Sequence, residues 1–304
     1  MAFVVPMPSR KPNPTPTGDV LPGTLYIVAT PIGNLEDITQ RAIRILSEVH
    51  WIACEDTRRT STLLHHHGIS TRLISYHEHN ERERAAELVA ALERGESGAL
   101  VSDAGTPLVS DPGFRLVSAA IERGIRVVPL PGASAVLAAL AGSGLPCDEY
   151  LFAGFLPARR SERRRALERL RAEPRTLVVF EAPHRLAASL ADAAEILGTR
   201  RASIGRELTK VYEEFRRGTL AELARQFSAG PVRGEITIVV GPPAKHAAGT
   251  HHEALSAEQT VSLGDRVAEL MRAENLPRNA ALKRAARERG LTRREAYRQL
   301  LLEA

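Results

Sequence analysis

Cysteine is nearly absent from this chain of 304 residues: only Cys54 and Cys147 occur, each inside an apolar run and neither in a metal-type cluster. That excludes a disulfide framework and a thiolate metal site, and it fits reduced thiols in a cytoplasm. No apolar run is long enough to span a bilayer, so no membrane association is expected. A signal peptide's continuous apolar stretch is missing too, because Pro6, Pro8, Pro12, Pro14 and Pro16 interrupt the first residues. Residues 1–22 are therefore expected to form a disordered leader. Neither GxGxxG nor a Walker sequence occurs after a strand, which counts against a conventional dinucleotide or P-loop site. No internal repeat is strong enough to use.

What is present is a core-forming composition, 43% apolar, with a net charge of +5 that is unevenly spread. This length and apolar share fit two or three domains. From Gly23 short apolar strands alternate with amphipathic helices, the pattern of parallel α/β layers. Strands are expected at 24–30, 51–55, 99–102 and 126–130, with one helical face marked by Ile38, Ala42, Ile43 and Leu46. Asn80 with Glu83 resembles a capping box opening a helix that Gly95 ends, and a further helix is expected at 114–123. Pro131 and Gly132 then turn the chain into a small-residue helix, completing an N-terminal α/β domain at 23–147. A second α/β domain at 148–242 is expected to hold strands at 150–155, 176–181, 202–207 and 235–240. A further strand at 211–216 would make that sheet mixed. Residues 243–254 read as a linker, and 255–304 as a helical module with Val267, Leu270, Met271, Ala281 and Leu282 on its apolar side.

The most informative stretch is SDAGTPLVSDPG, Ser102 to Gly113, directly after an expected strand. Gly, Pro and small hydroxyl residues at a strand's carboxyl end let backbone groups approach a ligand closely. An ordinary connection is the competing reading, against which stands the loop's length. The loop from Ala29 to Leu35 also follows a strand, so the two can line one crevice. Pro131 to Ala135 makes a third such turn, where close packing against a ligand or against a helix explains the small residues equally well. His65, His66 and His67 are adjacent and point in different directions on a helix, so no metal is expected there. Arg159, Arg160, Arg163, Arg164 and Arg165 form a dense basic run with only Glu162 among its charges. It reads as a flexible arm for RNA phosphates, with a solvated helix face as the alternative.

Six segments in order, TPIGNLEDIT, EDTRRT, SDAGTPLVSDPG, PGASA, FEAPHR and GRELTKVYEE, closely resemble the ribosomal RNA small subunit methyltransferase I family of the tetrapyrrole methylase superfamily. The resemblance covers about Gly23 to Gly241 and continues more weakly beyond. It implies a two-domain α/β fold with a mainly parallel N-terminal sheet, a mixed second sheet and a small C-terminal helix-turn-helix-like module. It also implies a folded S-adenosylmethionine in the interdomain cleft, 2'-O-methylation of a cytidine in 16S rRNA of the 30S subunit, and a homodimer. Matching motif positions make Pro31, Asp103, Ala104, Gly105 and Thr106 the first cofactor candidates. Ser134, Ala135, Phe155, Leu156, Ala182 and Pro183 follow. A ribose hydroxyl must lose its proton or be strongly polarised to act as nucleophile. Glu55, His184, Glu207 and Lys210 are the leading candidates for that task, among charged neighbours Asp56, Arg58, Glu181, Arg185, Arg206 and Glu214. Alternation along a strand would send Glu207 and Lys210 to opposite sides, so both serve one site only if the strand ends between them. In the tail, Lys283, Arg284, Arg287, Arg293 and Arg294 are expected on an RNA-facing side. Two other readings compete: methylation of a porphyrin-like ring, and a non-catalytic ribosome-assembly factor. Against the first, SDAGTPLVSDPG stands where the tetrapyrrole branch has a GDP-x-x-Y-G pattern.

Overall fold

The computed structural model describes residues 20–243, 263–274, 276–288, 291 and 296. Five parallel strands, β1 (Thr24–Val28), β2 (Trp51–Cys54), β3 (Arg72–Ser75), β4 (Gly98–Val101) and β5 (Arg126–Leu130), form the first sheet in the order β3-β2-β4-β1-β5. Every residue of β1, β2 and β4 is buried, so both faces of the sheet must be covered by helices. Leu25 and Ile27 face α3 (Glu81–Glu93) and α4 (Phe114–Glu122) through Leu88, Leu92, Leu116 and Ala120. Tyr26 and Val28 face α1 (Gln40–Glu48) and α2 (Thr57–His66) through Ile45, Leu46, Leu63 and Leu64. The chain therefore leaves β1 toward one face and its neighbour β4 toward the other. Adjacent strands that diverge in this way open a crevice at their carboxyl ends.

The second sheet runs β6-β7-β10-β8-β9, from β6 (Tyr150–Phe155), β7 (Thr176–Glu181), β8 (Arg201–Arg206), β9 (Glu214–Thr219) and β10 (Ile236–Val240). Only β6 and β7 pair in parallel, so the sheet is mixed as expected. Helices α6 (Arg160–Arg169), α7 (Leu186–Leu197) and α8 (Leu220–Phe227) cover one face, burying Leu167, Leu190 and Leu223 on Leu177, Val179 and Ile238. The other face is covered by α5 (Ala135–Ser143), whose Val136, Ala139 and Leu140 pack on Val178 and Val239. This small-residue helix follows the first sheet in sequence yet belongs to the packing of the second. Arg217 fastens it, donating to the carbonyls of Ser143, at 3.1 Å, and Gly142. Helices α9 (Leu263–Ala273) and α10 (Arg278–Glu288) pack together through Leu263, Val267, Leu270, Ala281, Leu282 and Ala285.

Three local expectations need correcting. The short edge strand β3 was not anticipated, since RLIS is only partly buried and has no clear alternation. Asn80 precedes α3 but does not cap it: its side chain accepts from the His77 amide and donates to the Ser75 carbonyl. The expected strand at 211–216 begins only at Glu214, because residues 207–213 form a turn in which Glu207 and Thr209 adopt positive φ. Residues 1–19 of the expected leader and 244–254 of the expected linker lie outside the described residues. Val20 packs against the first sheet's core. Among the described residues no helix is long and apolar enough to cross a membrane.

Candidate active site

The loops after β1 and β4 are zipped together at the crevice. Thr30 and Gly105 exchange two backbone hydrogen bonds of 2.9 and 3.0 Å, and the Thr30 hydroxyl donates to the Ser102 carbonyl. Gly105 has φ +88°, a conformation that disfavours a side chain. The Thr106 hydroxyl ties the same loop to the third turn through the Ala133 carbonyl at 3.2 Å. These three turns form one wall of a cavity of about 370 Å³, and the second sheet supplies the other. That volume lies within the usual range for small-molecule sites.

Of the cofactor candidates, Asp103, Ala104, Gly105, Thr106, Ser134 and Ala135 line the cavity from the first wall. Phe155, Ala182 and Pro183 line it from the second. Pro31 and Leu156 do not: Ile32 takes the lining position, and Leu156 is buried in the core beneath the second sheet. Sequence reasoning missed Asp111, although it stands inside SDAGTPLVSDPG, and Glu235, which lies in no quoted motif; Glu181, named there only among the charged neighbours, is a wall residue as well. The two walls touch directly. A side chain at Gly33 would meet the Leu208 carbonyl at 2.9 Å, so the TPIGN loop requires glycine where the GRELTKVYEE turn crosses it.

Charge at the site is mostly negative. Asp103 accepts from the Asp56 amide at 3.0 Å and meets Arg59 at 3.5 Å, which docks the start of α2 against the long loop. Burial pushes the Asp111 carboxyl up to about 6, helped by the charges of Glu55 and Asp103. Glu55 is also raised, first by burial and then by Asp103 and Glu78. Glu181 has no side-chain exposure and is saturated by Arg185 at 2.6 Å, the Ala182 amide and the Ser189 hydroxyl. It thereby fixes the turn that presents Ala182 and Pro183. Among the described residues, the four non-glycine residues with positive φ, Leu108, Ser110, Glu207 and Thr209, belong to the long loop that lines this cleft and to the turn that packs against the TPIGN loop beside it. Such strain persists only where surrounding structure imposes it, and it clusters at functional sites.

The model of the Tetrapyrrole (Corrin/Porphyrin) Methylases family matches residues 24–224, which holds the first wall and the second as far as Pro183. A protein of Mesorhizobium japonicum named "Ribosomal RNA small subunit methyltransferase I" is 51% identical over 279 residues, covering 91% of each chain. Its namesake from Micromonospora olivasterospora is 53% identical, over 79% of this chain and 77% of its own. The chain belongs to the ribosomal RNA small subunit methyltransferase I family of tetrapyrrole methylases. The fold agrees: a solved uroporphyrin-III C-methyltransferase from Thermus thermophilus, complexed with S-adenosylhomocysteine, superposes with TM-score 0.51. That structure covers 73% of this chain and 99% of its own, at 19% identity.

In this family member the remaining sequence candidates separate. The strand carrying Glu207 ends at Arg206, and the turn brings Lys210 back to it, so the two meet at 2.8 Å; Glu235 joins at 3.2 Å. Burial alone would lower Lys210, but Glu207 and Glu235 outweigh it and hold the ammonium protonated. Lys210 is thus held as a cation between two carboxylates, with its stem against Gly33 of the TPIGN loop. Glu207 is held below the usual carboxylate range by Lys210 and by the Glu235 amide. His184 and Glu55 are exposed and outside the cavity lining.

The arginine run is not a flexible arm. It forms α6, in which Arg163 is buried and donates twice to the equally buried Asp192, at 2.7 and 2.9 Å. Arg160 and Arg164 also reach Asp192, and Arg164 pairs with Glu195. Arg159 and Arg165 remain exposed. In the tail, Lys283 and Arg287 are exposed, Arg284 pairs with Glu274 and Glu288, and Arg293 and Arg294 lie outside the described residues.

Proposed function

We propose that this protein transfers the methyl group of S-adenosylmethionine to the ribose 2'-hydroxyl of a cytidine in 16S rRNA of the small ribosomal subunit, acting as a cytoplasmic homodimer. The observation that carries the reading is the single cavity to which TPIGNLEDIT, SDAGTPLVSDPG, PGASA and FEAPHR all contribute, closed by Phe155 and the start of β10. Its residues suit this donor. Ile32, Val109, Phe155 and Ile236 offer apolar surface for an adenine, while Asp103 and Asp111 provide negative charge for a cationic sulfonium or ammonium. S-adenosylmethionine supplies an activated methyl group. The chain's own part is to hold donor and hydroxyl in line, exclude water and accept the proton.

The relatives' names support an RNA of the small subunit as substrate, and the exposed cations Arg159, Arg165, Lys283 and Arg287, none of which lines the acidic cavity, offer phosphate contacts. The test combines calorimetric titration with S-adenosylmethionine and a ribose-methylation map of small-subunit rRNA from cells with and without the protein. Cofactor binding together with one alkali-resistant cytidine linkage that depends on the protein is expected. No cofactor binding would turn the reading toward an assembly factor, and methylation of a porphyrin-like ring in its place would return it to the tetrapyrrole branch.

A further inference from the structure

Transfer of a methyl group from a sulfonium to a hydroxyl forms the O–CH₃ bond and breaks the S–CH₃ bond. The C–S electron pair stays on sulfur, and one proton must leave the oxygen. Few carboxylates at the cavity are free to take it. Glu181 is saturated by three partners, Asp103 is engaged by the Asp56 amide and Arg59, and Glu207 is engaged by Lys210 and the Glu235 amide. Glu235 is paired with Lys210 and largely exposed. Asp111 differs from all of them. It lines the cavity, it is partly buried, and among the described residues no cation pairs with it.

We infer that Asp111 is the group that accepts the proton of the attacking ribose hydroxyl. The inference rests on the proposed ribose methylation and adds the residue that performs its proton transfer. The loop constrains the backbone on both sides of Asp111: Ser110 before it holds positive φ, and Pro112 after it restricts the conformation of the residue it follows. The groups facing Asp111 are the Ser102 hydroxyl at the end of β4, Asp103 in its own loop and Glu55 at the end of β2. From the second domain the nearest cavity-lining charges are Glu181 and Glu235. In this surrounding of like charge and low solvation the carboxyl titrates at about 6. A base of that strength is largely ionised at neutral pH yet basic enough to help a poor nucleophile. Once the methyl group has moved, the proton resides on Asp111 and passes to solvent.

The experiment is single-turnover methyl transfer to small-subunit rRNA across pH 5–9, at saturating RNA and cofactor, for the parent, Asp111→Asn and Asp111→Glu. The parent rate is expected to rise with pH to a plateau above about 6, because only the ionised carboxylate accepts a proton. At saturating cofactor, Asp111→Asn should lose that limb and fall by about 100-fold or more, and calorimetry on each variant fixes the S-adenosylmethionine concentration that saturates it, so that weaker attraction of the cationic donor does not enter the rate. Asp111→Glu should recover part of the rate and the pH limb. A parental rate in Asp111→Asn overturns the assignment, as does a loss explained wholly by weaker cofactor binding. The function itself is judged separately, on the parent: if its product is not a ribose methyl ether, the proposed reaction fails whatever the variants do.

Discussion

Arg163 shows how far a residue's type can mislead without its partners. Five arginines in seven positions suggest phosphate binding, yet the helical period turns Arg163 inward to Asp192 and leaves Arg159 and Arg165 in solvent. A buried carboxylate deprived of its best donor is costly. Arg163→Ala is expected to lower stability by about 2–3 kcal/mol, with Arg160 and Arg164 retaining part of the neutralisation. Arg159→Ala with Arg165→Ala should leave stability almost unchanged and weaken RNA binding. Denaturant melts and RNA titrations of both variants decide it, and a stable Arg163→Ala that binds RNA poorly would restore the arm. Asp111 is the opposite case. Nothing in its type distinguishes it from Asp103 eight residues earlier, and only burial and the lack of a cation separate their roles.

At the scale of elements, most strands were legible because they are short apolar runs bounded by Gly, Pro or charge, as by Gly23 before TLYIV and Gly241 after ITIVV. The destination of α5 was not legible. A helix of small residues buries on either sheet equally well, and the choice depends on Phe215, Leu208 and Val239, far along the chain. The turn at 207–213 was half legible: the strand was expected to end between Glu207 and Lys210 and ends one residue earlier, at Arg206, and the turn that follows brings the two side chains together at 2.8 Å. This turn presses on the TPIGN loop at Gly33, where an added Cβ would lie 2.9 Å from the Leu208 carbonyl and 3.0 Å from the Thr209 hydroxyl. A backbone carbonyl cannot yield as a side chain does. Gly33→Ala is therefore expected to part the cavity's walls, weakening S-adenosylmethionine binding by about tenfold (~1.4 kcal/mol). Calorimetry on the folded variant measures this, and parental affinity would mean that the contact does not set the cleft's width.

For the whole molecule the arrangement of charge poses a problem that its solution explains. The cavity wall gathers Asp103, Asp111 and Glu235, with Glu55 close enough outside it to raise Asp111, which favours a cationic donor and repels the phosphates on either side of a ribose. An RNA strand must then be held by cations away from the cavity. On the proposed function that part falls to exposed Arg165 on α6, to Lys283 and Arg287 on α10, and to Arg159 just before α6, which is loosely paired with Glu162 at 3.4 Å, while Arg284 and Arg266 are engaged with acids of their own module. Positioning by phosphates carries a signature in salt, because each contact releases counterions. Replacing both Lys283 and Arg287 by Ala should weaken RNA binding and reduce the slope of log K against log salt by about 1.4, the value for two contacts to single-stranded RNA. Affinity for S-adenosylmethionine should not change, since neither residue lines the cavity. A slope identical to the parent's would place the RNA elsewhere on the molecule and leave the α9–α10 pair without a part in substrate binding.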